Sequence, residues 1–151
     1  MTSIIKQASL DELDDFLPLF DAYRVFHGLD SDLEGARAFL TARLRSNEAT
    51  VFIAYNAETN QPSGFVLLYK VYSNHAMASV IVLNDLFTTL EYRGQGVGQA
   101  LVQQAMQYTK DSGAGKLRLF TTKDNTTAKR LYEYLGFVQE QGFDIYELSL
   151  A

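Results

Sequence analysis

The sequence contains no cysteine and only two histidines. Without cysteine the chain has no disulfide, no thiolate metal ligand and no cysteine nucleophile. His27 and His75 are too few imidazoles for a zinc site, so we expect no bound metal. No apolar run approaches the ~20 residues that cross a bilayer, and the first residues lack the apolar stretch of a signal peptide. These absences predict a cytoplasmic protein without a membrane segment.

Basic residues are also scarce. Thirteen Lys and Arg against eighteen Asp and Glu give a net charge of −5 and a pI near 4.9. Nucleic-acid binding depends on Lys and Arg that neutralise phosphates, so no nucleic-acid partner is expected. An acidic surface attracts cationic partners such as polyamines, basic peptides or aminoglycosides, although solubility alone also explains it. With 47% hydrophobic and 13% aromatic residues, residues 1–151 are expected to form one domain.

Helical patterns dominate the beginning of the sequence. Ser9–Glu12 is a capping-box signature that opens a first helix, and Pro18 within its apolar pattern is expected to kink or split that helix. A second capping-box signature at residues 31–34 predicts another helix that ends near Arg45. Residues 21–29 between them are expected to form an aromatic and polar connection.

Apolar, β-branched segments follow and predict an antiparallel meander whose last strand leads into a glycine-rich loop. The predicted strands cover 50–55, 65–72, 77–88, 116–121, 137–141 and 143–150. A helix begins at Val97, and another is capped by Asp124 or Asn125 and ended by Gly136.

The glycine-rich loop is Arg93–Gly98. A glycine-rich turn from a strand into a helix lets backbone N–H groups approach an anion, and the helix dipole favours negative charge there. Gly98 is followed by Gln99 and Ala100, which excludes a Walker loop, and the dinucleotide fingerprint counted from Gly94 would need glycine at position 99. The loop alone leaves open a phosphate site and a turn without a ligand.

The spacing that fits is Arg-x-x-Gly-x-Gly, which resembles the pyrophosphate loop of the Gcn5-related N-acetyltransferases (the GNAT family). Residues 125–137 have the order Asn-x-x-Ala-x-x-Leu-Tyr-x-x-x-Gly-Phe. This order resembles the family segment that lines the pantetheine arm and carries a catalytic tyrosine. Loop, strand and segment occur in the family's order over roughly residues 80–150.

The resemblance implies the GNAT fold, an α/β (α+β) domain with about four helices. Its mixed, mostly antiparallel sheet would have about six to seven strands and splay at the central strand, admitting acetyl-CoA from one side and the acceptor from the other. The residues implied to bind acetyl-CoA are Leu86, Phe87, Thr88, Arg93, Gly94, Gln95, Gly96, Val97, Gly98, Gln99, Asn125, Ala128 and Tyr132.

The resemblance also makes Tyr132 the candidate general acid. A phenol with a pKa of ~10 is protonated at neutral pH and can protonate a departing thiolate with a pKa of ~8.5. The alternatives are a core aromatic residue or a hydrogen-bond donor to sulfur that transfers no proton.

Asn84 and Asp85 interrupt an otherwise apolar strand, where an unpaired buried carboxylate is costly. Polyamine acetyltransferases have Leu-Glu-Asp-Phe-Phe where this sequence has Leu83–Phe87, so Asn84 replaces the first acid of their pair. Asp85 therefore remains open between two roles. It either serves the substrate ammonium, through an ordered water or by anchoring its charge, or it is a structural carboxylate.

The candidate acceptor residues are Tyr23, Phe26, Asn84 and Tyr146. The first helical connection, which contains Tyr23 and Phe26, walls the acceptor pocket in this family, and Tyr146 lies in a Phe-x-x-Tyr-x-Leu ending like that of one family branch.

The predicted function is direct acetyl transfer from acetyl-CoA to a primary amine of a polyamine-like molecule, a basic peptide or a protein lysine. Transfer would occur in a ternary complex, since no cysteine is present to carry the acetyl group. The alternatives are a non-catalytic acetyl-CoA sensor and an interaction protein whose loop is only a turn. The resemblance implies a homodimer, which the apolar residues 143–150 allow.

Overall fold

The computed structural model describes residues 2–150. In chain order its elements are β1 (Ser3–Gln7), α1 (Leu13–Phe26), α2 (Leu33–Arg45), β2 (Ala49–Asn56), β3 (Pro62–Ser73), β4 (Ala78–Thr88), α3 (Val97–Asp111), β5 (Lys116–Leu119) and α4 (Thr126–Tyr134). Short 3₁₀ turns precede α1 and α3, at Leu10–Glu12 and Leu90–Tyr92. The chain forms two compact units, one ending at Phe120 and one beginning at Thr121.

The sheet of the first unit has the order β1-β2-β3-β4-β5. The first three pairings are antiparallel and the β4–β5 pairing is parallel, which confirms the predicted mixed, mostly antiparallel sheet. The part of the chain that the structure describes contains five strands, fewer than the six to seven predicted. β5 pairs only with Val80–Leu83, so β4 beyond Leu83 has a strand partner on the β3 side alone and the sheet splays there.

Two differences account for the strand count. β1 was not predicted, because Ser3–Gln7 has only two strongly apolar residues and becomes a strand by pairing with β2. The strands predicted over 137–141 and 143–150 are wrong, since those residues are described without strand structure. A pattern of apolar residues indicates which secondary structure the side chains favour. A strand also needs a neighbouring strand that pairs with its backbone N–H and C=O groups.

The capping box at Ser9 is confirmed. The Ser9 hydroxyl accepts from the Asp11 amide at 3.2 Å, and the Glu12 carboxylate accepts from the Ser9 amide at 2.8 Å. α1 then continues unbroken past Pro18, contrary to the expected kink or split. Pro18 therefore removes one donor within α1, the amide that would bond to the carbonyl four residues earlier, without ending the helix.

The connection between α1 and α2 is shorter than predicted, since residues 21–26 are helical. The second capping box is also wrong: Asp32 caps α2 by accepting from the Gly35 amide at 2.9 Å. Ser31 instead donates to the Asp21 carboxylate at 2.6 Å, and the Asp32 amide donates to the same carboxylate at 2.9 Å. These bonds fix the connection against α1.

The core has one part under α1 and α2 and another under α3. Phe16 of α1 is fully buried and meets the ring of Phe65 on β3 at 4.9 Å between centroids. Leu101 and Val102 of α3 are fully buried, and α3 contacts β3 and β4. No described helix is long and apolar enough to cross a bilayer.

Candidate active site

The site begins at a β-bulge in the middle of β4. Asp85 lies opposite Leu67 and Leu83 lies opposite Leu68, so Asn84 is an extra residue without a partner on β3. Asn84 is exposed whereas Asp85 is buried. A bulge re-aims side chains and increases the local twist, and here it places a carboxylate on the face that Leu67 shares with α1 and α2.

Asp85 is a buried carboxylate without a cation. It is 9% exposed, and the Asn84 side-chain amide donates to its Oδ1 at 3.2 Å. Within residues 2–150 no Lys, Arg or His forms an ion pair with it. Because a buried charge is costly unless it is paired, this carboxylate has capacity for a cationic partner.

Tyr69 is a neighbour of Asp85 that the sequence did not reveal. Burial raises the pKa of the Tyr69 phenol, and the negative charge of Asp85 raises it further. Tyr69 and Leu67 share one face of β3, as residues two apart in a strand do. Only the register of β3 on β4, which includes the bulge, brings Tyr69 to Asp85.

The end of β4 offers backbone groups to a ligand. From Leu86 to Thr88 the strand is paired with β3 on one edge, and no strand of the described chain covers the other edge. Thr89 follows, and the buried Thr89 Oγ1 has no hydrogen-bond partner among the described residues. Beside the loop the structure therefore leaves a strand edge without a strand partner and one hydroxyl without a hydrogen-bond partner among the described residues.

The glycine-rich loop ends at the first turn of α3. Gly94 and Gly96 have φ of +76° and +79°, a left-handed conformation that L side chains rarely adopt. Gly96 is the N-cap and supplies no side chain, so the amides of Val97–Gln99 precede the first helical bond, Ala100 N–H to Gly96 C=O. A fifteen-residue helix that presents three free amides is suited to an anion.

Arg93 is directed toward the aromatic residues beside the loop. Its Nε donates to the Thr88 carbonyl at 2.9 Å, and its guanidinium lies 4.7 Å from the Phe26 ring centroid and 5.6 Å from that of Phe87. Arg93 is predicted to add positive charge next to a phosphate. The guanidinium nitrogens other than Nε are the ones available for that interaction. That role stays a prediction.

Aromatic residues near the end of α1 contact β4. The Tyr23 and Phe26 rings lie 6.1 Å and 6.0 Å from the ring of Phe87. His27 is exposed, and its ring meets that of Tyr23 edge to face at 4.6 Å between centroids, a packing role rather than that of a buried base. The first unit thus brings together Tyr23, Phe26, Phe87, Arg93 and the strand that carries Asp85.

The second unit contains the predicted Asn125–Tyr132 segment. Asn125 caps α4 by accepting from the Ala128 amide at 3.2 Å, and Gly136 ends the helix with φ of +101°, both as predicted. Tyr132 is 8% exposed and its ring lies 5.7 Å from that of Phe137. Burial raises the pKa of the Tyr132 phenol, so it is protonated at neutral pH. Tyr146 is 92% exposed.

No group of three potential metal-binding side chains occurs among residues 2–150.

Residues 13–137 match the family model described as Acetyltransferase (GNAT) family. The chain is 38% identical to an uncharacterized N-acetyltransferase of Bacillus subtilis (strain 168), with 97% of each chain covered. A crystal structure of a probable acetyltransferase is 37% identical, with a TM-score of 0.92 and 98% of each chain covered. A thialysine N-epsilon-acetyltransferase of Sus scrofa is 34% identical over 73 residues, 48% of this chain and 42% of that protein.

Proposed function

The chain belongs to the acetyltransferase (GNAT) family and is an acetyltransferase, and from this premise we propose that it transfers the acetyl group of acetyl-CoA directly to a primary amine in a ternary complex. The observation that most supports acetyl-CoA as the acetyl donor is the structure at the start of α3. Three amides there lack an intrahelical acceptor, behind two glycines at which an added Cβ meets nothing within 4 Å. A pyrophosphate at this position would have backbone N–H donors to bind and space to approach them.

The amides of residues 95–99 would hold the pyrophosphate, with Arg93 adding positive charge. The Thr89 hydroxyl, buried without a partner among the described residues, would donate to the same ligand. By the family resemblance, Asn125 and Ala128 would line the pantetheine arm.

The uncovered edge of β4 would bind the acetyl carbonyl. Backbone N–H groups of Leu86–Thr88 that face this edge have no strand partner among the described residues. Fixed donors of this kind stabilise the oxyanion that develops as the amine attacks, because they need no reorganisation during the reaction.

Asp85 would attract the acceptor as an ammonium ion. Its buried carboxylate lacks a cation among the described residues, and the aromatic side chains of Tyr23 and Phe26 would enclose the carbon chain next to the amine. A water ordered by Asp85 would take the proton that makes the amine nucleophilic. The relative named thialysine N-epsilon-acetyltransferase supports a side-chain amine, so a polyamine-like molecule or a lysine is the proposed class.

Tyr132 would complete the reaction as general acid. The amine nitrogen forms a bond to the acetyl carbon, the carbon–sulfur bond breaks, and the phenol proton goes to the departing thiolate. Burial keeps the pKa of Tyr132 above its usual value, so the proton is present at neutral pH. We also propose that the protein works in the cytoplasm as a homodimer.

The experiment measures acetyl-CoA-dependent thiol release with polyamines, lysine, thialysine, aminoglycosides and histone-tail peptides. Tyr132→Phe should lower kcat about 100-fold for the best acceptor, the lower range for a general acid, while calorimetry finds acetyl-CoA affinity unchanged. Tyr134→Phe is the control, since Tyr134 lies on the same helix and is 76% exposed.

Equal turnover in wild type and Tyr132→Phe would remove Tyr132 as the acid. Acetyl-CoA binding without turnover of any amine would instead favour the non-catalytic sensor.

A further inference from the structure

Arg93 connects two elements of the first compact unit, β4 and α1. Its Nε donates to the carbonyl of Thr88, the last residue of β4, at 2.9 Å. Its guanidinium lies 4.7 Å from the ring centroid of Phe26, the last residue of α1. One side chain thus joins the end of the strand to the end of the helix.

Three aromatic or cationic groups meet the Phe26 ring within residues 2–150. The rings of His27 and Phe87 lie 5.5 Å and 6.0 Å from it between centroids, and the third group is Arg93. His27 is the next residue in the chain, so it does not connect the ring to another element. Phe87 and Arg93 are therefore the groups of this set that fix the Phe26 ring relative to β4.

The chemistry of a guanidinium suits this position. A planar guanidinium donates hydrogen bonds in its plane while its face lies on an aromatic ring, so one group makes both contacts. Arg93 uses Nε for the Thr88 carbonyl and lies over Phe26 and, at 5.6 Å, over Phe87. The ammonium of a lysine has the same charge but no plane, so it makes these contacts less well.

We propose that Arg93 is a positioning residue for the acceptor: it holds the Phe26 ring against Phe87 and so shapes the surface along which the carbon chain of the amine lies. This inference rests on the proposed function, in which Phe26 helps to enclose that carbon chain. It gives Arg93 a role beyond the positive charge next to the pyrophosphate. The two roles use different nitrogens, since Nε is engaged with Thr88 and the others are available to a phosphate.

Arg93→Lys separates the two roles, because it keeps the positive charge and loses the planar group. The KM for the best amine should rise about fivefold, the size of one cation–π contact. The dissociation constant of acetyl-CoA, measured by calorimetry, should change less than twofold. Weaker acetyl-CoA binding with an unchanged KM for the amine would overturn the proposal and leave Arg93 as a phosphate ligand. No change in either constant would also overturn it.

Arg43→Lys is the matched control. Arg43 lies 4.6 Å from the Phe39 ring centroid, and its Nε donates to Glu48 at 2.8 Å, so it makes the same two kinds of contact on α2. None of these three residues is a candidate site residue. The KM for the amine should therefore stay at the wild-type value in Arg43→Lys.

A double-mutant cycle tests whether Arg93 acts through Phe26. Phe26→Leu removes the ring, so adding Arg93→Lys to it should change the KM for the amine less than twofold. A further fivefold rise in the double variant would show that the two residues act independently, which contradicts the proposed positioning role.

The contact itself is testable without a substrate, because the sequence contains no tryptophan. Phe26→Trp introduces a single indole at the end of α1, and Arg93→Ala in that chain should raise its acrylamide quenching constant about twofold. In a Phe39→Trp chain the same Arg93→Ala change should leave the quenching constant unaltered. Equal quenching with and without Arg93 in the Phe26→Trp chain would overturn the proposal.

The outcomes distinguish this inference from the proposed function. If the wild-type chain acetylates no amine, the proposed function fails and the positioning role fails with it. If the wild type acetylates an amine and Arg93→Lys leaves the KM for that amine unchanged, the proposed function stands and only the role of Arg93 is refuted.

Discussion

At the residue scale, the proposed site contains one buried carboxylate in an otherwise apolar strand, where carboxylates are rare. Asp85 is buried, accepts one hydrogen bond from Asn84, and faces Tyr69, whose pKa is raised first by burial and then by the charge of Asp85. A carboxylate kept for structure would be expected to have a cation or several backbone donors around it. Asp85 has neither among its described contacts, which favours a role toward a cationic acceptor.

Asp85→Asn tests that role. The KM for the amine should rise at least tenfold, which corresponds to about 1.4 kcal/mol, because the ammonium loses its counter-charge. The urea midpoint should hold or rise, since an uncompensated buried charge has been removed. A lowered midpoint with an unchanged KM would instead make Asp85 structural.

Gly64 shows how a single residue positions the loop. It lies opposite Thr88, and a Cβ there would stand 2.6 Å from the Phe87 carbonyl oxygen and 3.2 Å from a Val97 methyl. Backbone cannot retreat as a flexible side chain can, so Gly64→Ala should lower the free energy of unfolding by about 1–3 kcal/mol in urea titrations.

Gly115→Ala is the matched control for Gly64→Ala. Its Cβ would meet the Cβ of Ala78 at 3.9 Å, an ordinary contact, so stability should not fall. Equal losses in both variants would show that the close approach of β3 to β4 is not the cause.

At the element scale, α3 links the fold to the donor site. Its buried residues, among them Val97 and Leu101, hold it on the sheet, while its first turn keeps three amides free. The same helix has a left-handed glycine at each end, Gly96 with φ of +79° and Gly113 with φ of +78°. Both ends of α3 thus require a residue with positive φ, but only the Gly96 end lies at the proposed acetyl-CoA site.

Gly96→Ala and Gly113→Ala separate strain from binding. Both should lose about 1–2 kcal/mol of stability, the cost of a left-handed L residue. Only Gly96→Ala should also weaken acetyl-CoA binding in calorimetry, about tenfold or more, because Gly96 is the N-cap directly before the amides proposed to bind the pyrophosphate. A similar loss of affinity in Gly113→Ala would point to general destabilisation of α3.

At the scale of the whole molecule, two acidic side chains, Glu12 and Asp21, stabilise the first part of the chain. Each accepts hydrogen bonds at the start of a helix. The Ser9 amide above all lowers the pKa of Glu12. The Ser31 hydroxyl and then the Asp32 amide lower that of Asp21. A lowered folded pKa gives stability that is fully present above the unfolded value, near pH 4, and is lost as pH falls through the folded value. The chain should therefore lose stability on the acid side.

Asp21→Ala should show this dependence. At pH 7 it should cost about 0.5–1 kcal/mol, a charged hydrogen-bond contribution discounted for exposure to solvent, and the cost should fall as the pH drops from the unfolded pKa near 4 through the lowered folded pKa. Urea titrations at pH 7 and over a series of acidic pH values measure it. Asp14→Ala is the control, because Asp14 pairs only with an exposed Arg37 and should cost little at any of these pH values. A cost for Asp21→Ala that persists at low pH would mean that its charge is not the cause.

The sequence by itself determined the local signals of this protein. Glycines in the Arg93–Gly98 loop, the caps at Ser9 and Asn125 and the stop at Gly136 were all predicted, because each depends on conformations of adjacent residues. The family could be predicted for the same reason, since its motifs are short and contiguous. The bulge in β4 also has a signal in the sequence, because the polar residues Asn84 and Asp85 interrupt an apolar strand.

Only the tertiary structure decided what depends on distant partners. It made β1 a strand by pairing it with β2, and it left residues 137–150 without strand structure despite their apolar pattern. It also brought Tyr69 to Asp85, and Arg93 over Phe26. Strand pairing, register and the approach of one side chain to another join residues far apart in the chain, so no local pattern of residues specifies them.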